Sequence, residues 1–257
     1  MSAEEVEIVG AGPVGLFAAL SALESGLRPI VYERRTEARA GSRSIGIHPP
    51  SLELLERLGL AGAFLERGVR VERGIAFGER GVIGAVDFES CFGRHRYVLS
   101  IPQVETERIL REALEQRAAG CVLAGHDFDP MQRVQSEAVA LVACDGKHSP
   151  VRRAAGIVFD GGPYDGSYAM GDFPDTTSLE AVAAVFLGRG GLVESFPLPG
   201  SWRRWVIRRR HPTSDAASAE ELAETVRDRT KYRLNPGDGV NLTSFRAERY
   251  LAATFNS

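Results

Sequence analysis

Val6-Glu-Ile-Val-Gly-Ala-Gly-Pro-Val-Gly15 stands near the start of the chain, and its reading decides the fold. Val6, Ile8 and Val9 read as a short buried strand. Gly10, Gly12 and Gly15 then complete Gly-x-Gly-x-x-Gly, and an amphipathic helix follows from about Pro13 to Glu24. Each glycine serves a different need. Gly10 permits the tight turn out of the strand, Gly12 lets backbone approach a pyrophosphate, and Gly15 lets the helix pack close to the sheet. The helix N-terminus offers backbone N–H groups and partial positive charge to phosphates. Pro13 suits the first turn, where its missing N–H costs nothing.

Context turns this triplet into a motif. A second strand, Pro29-Ile-Val-Tyr32, ends at Glu33, which lies 18 residues beyond Gly15. That is close to the spacing of about 20 residues expected for the acid that binds ribose hydroxyls. Gly26 stands between helix and strand, where a C-capping glycine belongs. Arg34 and Arg35 follow the acid. An arginine here is also the mark of a 2′-phosphate, but with the acid in place a ribose with free hydroxyls is the preferred reading.

The remaining chain alternates helical and β patterns. Helices are expected over Ser51–Leu60, after Pro49-Pro50, and over Gln103–Ala119. Between them, from Val69 to Tyr97, short apolar pieces broken by glycines and charges read as inserted antiparallel strands. Val139–Ala143 is a buried-type strand leading into Asp145-Gly146. From Val158 to Arg210 the pattern is again β. Ser218 and Glu221 make a capping box for a further helix. Val240–Phe255 reads as a strand pair.

Composition narrows the function classes. The 257 residues are 44% hydrophobic and 25% charged, ordinary for a globular protein able to bury a sizeable core. A net charge of −3 speaks against a general nucleic-acid binder. No apolar run is long enough to span a membrane, and no basic-then-apolar leader is present. Cys91, Cys121 and Cys144 are widely spaced and read as free thiols in a reducing cytoplasm. With five histidines and no ligand-spaced cluster, no metal site is expected.

Several stretches together resemble one family. They are Gly10–Leu16, Tyr32-Glu-Arg-Arg35, Ile47-His-Pro-Pro-Ser-Leu-Glu-Leu-Leu55, Ile101-Pro-Gln-Val-Glu-Thr-Glu-Arg-Ile-Leu110 and Asp145-Gly-Lys-His-Ser-Pro-Val-Arg152. In order and nearly in spacing they are similar to the FAD-dependent aromatic-ring hydroxylases, group A monooxygenases with the p-hydroxybenzoate hydroxylase fold. The resemblance implies an α/β fold: a Rossmann-like FAD-binding domain with an inserted, mainly antiparallel β-sheet substrate domain. The expected division is 1–72 and 99–160 for FAD binding, 73–98 for a β insertion and 161–257 for the substrate sheet.

The resemblance also implies roles. Gly10, Gly12, Pro13 and Gly15 would hold the FAD pyrophosphate, and Glu33, with Arg34 beside it, the adenosine ribose. Arg43 and Gln103 match positions that touch FAD. Asp145 and Gly146 match a motif associated with FAD and NAD(P)H, and Arg152 ends it. The implied activity is hydroxylation of an aromatic or polyketide-like small molecule by FAD, NADPH or NADH and O2. No side-chain nucleophile is required, since the cofactor carries the hard chemistry. The family's second flavin motif, Gly-Asp then Ala-His, does not occur after the substrate sheet. Gly171-Asp172 lacks that continuation, and the stretch from Gly120 to Ala138 is short for the family. An incomplete chain is therefore expected.

Two other readings use the same residues. Trp202-Arg-Arg-Trp205 is faintly similar to a flavin-halogenase motif, with wrong spacing, and an isoprenoid reductase shares the scaffold. A non-catalytic ADP- or FAD-binding module would instead use Arg203, Arg204 and Arg208–Arg210 as an anionic-partner site. A solvated sheet face is the simpler account of those arginines.

Overall fold

The computed structural model describes residues 3–37, 44–91, 93–131, 138–209, 211, 213 and 215–256. Its first layer is a parallel sheet of four strands. β1 (Glu5–Val9) lies between β2 (Arg28–Glu33) and β9 (Ala140–Ala143), and β8 (Val122–Ala124) flanks β2. Helix α1 (Pro13–Glu24) connects β1 to β2 and packs with α4 (Gln103–Arg117). Their inward residues Leu16, Leu20, Leu110 and Leu114 join Ile8 and Val31 in one core. The expected α1 stop is present: Ser25 caps the helix and Gly26 follows with φ +77°.

Helix α2 (Pro49–Arg57) begins two residues before the expected start, because Pro49 itself takes the first helical position. A short α3 (Ala61–Leu65), not foreseen, follows and buries Phe64 in the same core. A small sheet orders β3 (Gly46–Ile47), β7 (Val98–Ser100) and β4 (Val69–Val71). Val69–Val71 therefore does not belong to the inserted strands; Val71 is buried and pairs with Val98 of β7.

The second layer is a sheet of seven strands in the order β15-β11-β14-β13-β12-β5-β6. These are β5 (Arg73–Gly78), β6 (Gly81–Asp87), β11 (Tyr168–Pro174), β12 (Ala183–Gly188), β13 (Gly191–Leu198), β14 (Trp202–Arg208) and β15 (Val240–Phe245). β5 and β6 thus extend the later sheet through the parallel β12–β5 pair. Helix α6 (Ala219–Thr230) covers one face, placing Leu222 and Val226 against Phe173, Phe186, Trp205 and Ile207.

Glu221 N–H donates to Ser218 Oγ at 3.1 Å, as half a capping box. The Glu221 carboxylate, rather than reaching back to the cap, accepts from Arg209 at 2.7 and 2.6 Å. Short α5 (Pro150–Ala154) follows β9, and β10 (Phe159–Pro163) pairs with β16 (Glu248–Ala252). Val240–Phe255 is accordingly not one strand pair. β15 joins β11 and β16 joins β10, because their partners lie far away in sequence.

The arginine readings need correction. Arg203 is fully buried. It donates from Nε to Asp175 at 2.8 Å and to the carbonyls of Val182 and Glu180. Arg204, 2% exposed, grips Asp172 from Nε and Nη2 at 2.7 and 2.8 Å, and Asn241 adds a bond of 2.9 Å to that carboxylate. Arg209 is buried against Glu221. These three form neither a solvated face nor a partner patch: desolvated guanidinium groups persist only when paired. Trp205 is core, which leaves the halogenase-like reading without its second tryptophan on the surface.

Candidate functional site

The strand order creates a switch point. From β1 the chain crosses to β2 on one side, and β9 later enters on the other. In open α/β sheets, ligands bind at such a point, outside the carboxyl ends of the strands. Three motif ends meet there. Gly10 leaves β1, Glu33 ends β2, and Cys144-Asp145-Gly146 leaves β9. Cys144 N–H donates to Val9 O at 2.8 Å, so the first and last of these turns run side by side.

Glycine is needed here for two distinct reasons. A Cβ on Gly10, whose φ is +99°, would stand 2.5 Å from Cys144 O, and one on Gly15 only 1.8 Å from Gly10 O. Those two glycines are demanded by the protein's own packing. Gly12 differs: its φ is −75° and an added Cβ would meet nothing within 4 Å. Its bare backbone faces open space at the start of α1. Pro13 takes the first helical turn, no side chain caps this end, and no acidic residue lies in the first turn. The free N–H groups and helix dipole are left for an anion. A pyrophosphate fits this surface, as FAD requires.

Glu33 lies beside it, 7% exposed. Its Oε2 accepts from Ala11 N–H at 2.9 Å, and its Oε1 from Arg35 N–H at 3.0 Å and Arg35 Nε at 2.9 Å. Burial pushes the carboxyl up, but the Arg35 guanidinium and the two backbone N–H groups outweigh it and hold the pKa at about 2. The group is an anion, and Arg35 Nη2 also donates to its Oε2 at 3.3 Å, so a hydroxyl donor would share or displace the Arg35 side chain. The sequence pairing of Glu33 with Arg34 missed this partner. Arg34 is exposed at the strand end, while Arg35 folds back onto the acid. Its signal was the two-residue offset, which brings a side chain back to the same side of an extended segment.

Gln103 opens α4, and its Nε2 donates to Glu107 at 2.8 Å. Glu107 in turn raises the pKa of Arg35, after the larger effect of Glu33, so this helix start lies near the same cluster. Asp145 accepts from Val151 N–H at 3.2 Å and thereby anchors the turn to α5. Gly146 follows it in a left-handed conformation with φ +86°. Arg152 stacks over Phe159, 4.0 Å from the ring centroid, and donates to Lys147 O. Arg43 lies outside the described residues. Cys144 is held as a thiol, its pKa pushed up to about 11 by burial and then by Asp145. The described residues contain no cluster of His, Cys, Asp or Glu able to hold a metal, and no helix among them is long and apolar enough to cross a membrane.

Known proteins are similar to this chain in sequence and in fold. A rifampicin monooxygenase of Streptomyces venezuelae is 33% identical over 192 residues, covering 70% of this chain and 40% of that protein. A 12-dehydrotetracycline 5-monooxygenase/anhydrotetracycline 6-monooxygenase of Streptomyces rimosus is 36% identical over 173 residues, covering 61% and 33%. The chain therefore spans well under half the length of these relatives. In fold, it resembles p-nitrophenol 4-monooxygenase PnpA from Pseudomonas putida, with a TM-score of 0.78 at 23% identity over 99% of this chain and 70% of that one. The profile of the family described as FAD binding domain matches residues 3–255, and the chain belongs to that family.

Proposed function

We propose that the protein is an FAD-dependent monooxygenase that hydroxylates an aromatic or polyketide-like small molecule with NADPH or NADH. The balance is substrate C–H plus O2, NAD(P)H and a proton, giving substrate C–OH, water and NAD(P)+. The observation that carries this reading is the open backbone at Gly12 beside the ionised Glu33. The matching relatives, named as monooxygenases of rifampicin and of 12-dehydrotetracycline and anhydrotetracycline, support the reaction class.

When bound, FAD supplies the redox chemistry. The chain's own residues bind and orient it. Gly10, Gly12, Pro13 and Gly15 present the pyrophosphate site, and Glu33 accepts from the ribose hydroxyls. Arg34, Arg43, Gln103, Asp145 and Gly146 complete the cofactor contacts. Residues 1–72 and 99–160 serve FAD, while the strands in 73–98 and 161–257 form the substrate side. A cytoplasmic enzyme is consistent with three free thiols.

The test is direct. Purified full-length protein should carry FAD, oxidise NADPH or NADH faster with a phenolic substrate, and place isotopically labelled oxygen from O2 in the product. Protein that takes up no flavin, or oxidises NAD(P)H without labelled product, would overturn the reading.

A further inference from the structure

The seven-stranded sheet has a second face, turned away from α6. Side chains alternate along a strand. Val193, Trp205, Ile207 and Ala169 pack towards α6, so their neighbours point the other way. The strand registers align these neighbours in one row: Ala76, Val185, Glu194, Val206, Met170 and Thr243. Glu194 lies on β13, the central strand. Directly beside it are Val185 on β12 and Val206 on β14. Met170 is 2% exposed and Val206 7%, while Ala76, Val185, Glu194 and Thr243 are half-buried.

A lone acid in such a row needs an explanation. Among the described residues, the Glu194 carboxylate has neither hydrogen bond nor ion pair, and burial raises its pKa. The guanidinium one row along, Arg204, is engaged with Asp172. Phe196, two residues along β13, lies opposite Arg204 in the register and is only partly buried. The same strand is tied to the FAD-binding part, where Ser100 Oγ donates to Pro197 O at 2.6 Å. An aromatic side chain and an unpartnered acceptor thus share one face, beside the closed Arg204–Asp172 pair. A strand position that needed only packing would carry a β-branched residue, as its neighbours do.

We propose that Glu194 is the specificity-determining residue of the substrate face: its carboxylate accepts a hydrogen bond from a hydroxyl on the substrate ring, so neutral phenols are selected over their ethers and over aromatic carboxylates. This rests on the reading that this face of the sheet is the substrate side. A site built to accept a hydroxyl rejects the analogue lacking it, because the buried acceptor is left unpaired. An aromatic carboxylate is rejected by charge.

Three probes on one ring test this: p-cresol, p-methylanisole and p-toluate, titrated calorimetrically into FAD-loaded full-length protein. Wild type should bind p-cresol about tenfold or more tighter than either other probe. Glu194→Leu should bring p-cresol and p-methylanisole to within about twofold of each other, since the hydrogen bond to the carboxyl oxygen is gone. Glu194→Gln, which keeps the shape and one acceptor oxygen, should admit p-toluate and carries the test if the leucine variant does not fold. Equal binding of p-cresol and p-methylanisole by wild type, or an unchanged preference in both variants, overturns the role of Glu194 while leaving the face as an aromatic site. Binding of none of the three by flavin-containing protein overturns the substrate-face reading and this proposal with it. The flavin content, measured separately, reports on the cofactor reading.

Discussion

The carboxyl ends of the parallel sheet and the interior of the seven-stranded sheet place charge in opposite ways. At the switch point, a single acid, Glu33, is held ionised by backbone N–H groups and by Arg35, whose side chain is 42% exposed. In the seven-stranded sheet, Arg203 and Arg204 lie wholly inside the layer and are matched by Asp175 and Asp172. The first arrangement leaves the backbone donors at the start of α1 open to a ligand. The second closes its polar groups on one another, and so pins β11, β14 and the segment around Asp175 in one register. An ion pair inside a sheet is thus chiefly a constraint on structure, while a charge at strand ends remains available for chemistry.

The sharpest way to break this comparison is Asp172→Ala. It leaves the Arg204 guanidinium buried without its carboxylate and should cost about 3–5 kcal/mol in urea unfolding. Replacing the pair by Asp172→Leu with Arg204→Met should recover most of that, as buried ion pairs often barely exceed an apolar substitute. A small effect of Asp172→Ala would show that the pair is not what pins the strands.

Glu33 sharpens the other side through pH. Its folded pKa of about 2 lies below the ordinary value of 4.5. Its contribution is present above pH 4.5 and is lost as pH falls towards 2. The shift corresponds to about 3 kcal/mol. Glu33→Gln should remove that part of the acid sensitivity, measured as the urea midpoint against pH. Identical profiles would place the acid sensitivity elsewhere.

The glycines separate packing from ligand binding within one motif. Gly15→Ala should destabilise by about 1–3 kcal/mol, because its Cβ overlaps Gly10 O. Gly12→Ala should leave stability within about 0.5 kcal/mol of wild type, yet weaken FAD by about tenfold or more, as it fills only the ligand's space. Calorimetry with FAD and thermal unfolding together read both. Equal effects of the two variants would deny Gly12 its special place. The smallest change is expected from Arg35→Gln. Given the exposure of Arg35, it should cost about 0.5 kcal/mol at neutral pH and raise the Glu33 pKa, visible as a shifted acid limb.

Much of the parallel unit was legible in residues close together along the chain. Strand, glycine turn, helix and acid follow one another within about thirty positions, the length of a βαβ unit, and α1 spans the predicted Pro13–Glu24. The cost of a side chain at Gly10 is local only in part: its φ of +99° belongs to the turn, but the clash at 2.5 Å is with Cys144 O, far along the chain. Less legible were the partners of strands. Val69–Val71 and Glu248–Ala252 read correctly as strands, but their neighbours, β7 and β10, are distant in sequence. Period-two patterning marks which face is apolar and not which strand lies beside it.

From the sequence alone, then, followed the α/β class, the glycine turn, the acid at the end of β2 and the helices with clear caps, all set by backbone geometry and short-range patterning. Tertiary structure alone decided that Arg203, Arg204 and Arg209 are buried pairs, that Arg35 grips Glu33, and that Glu194 stands in an apolar row. The reason is physical: a charged side chain's environment depends on desolvation and on partners brought in from elsewhere in the chain, and local sequence encodes neither.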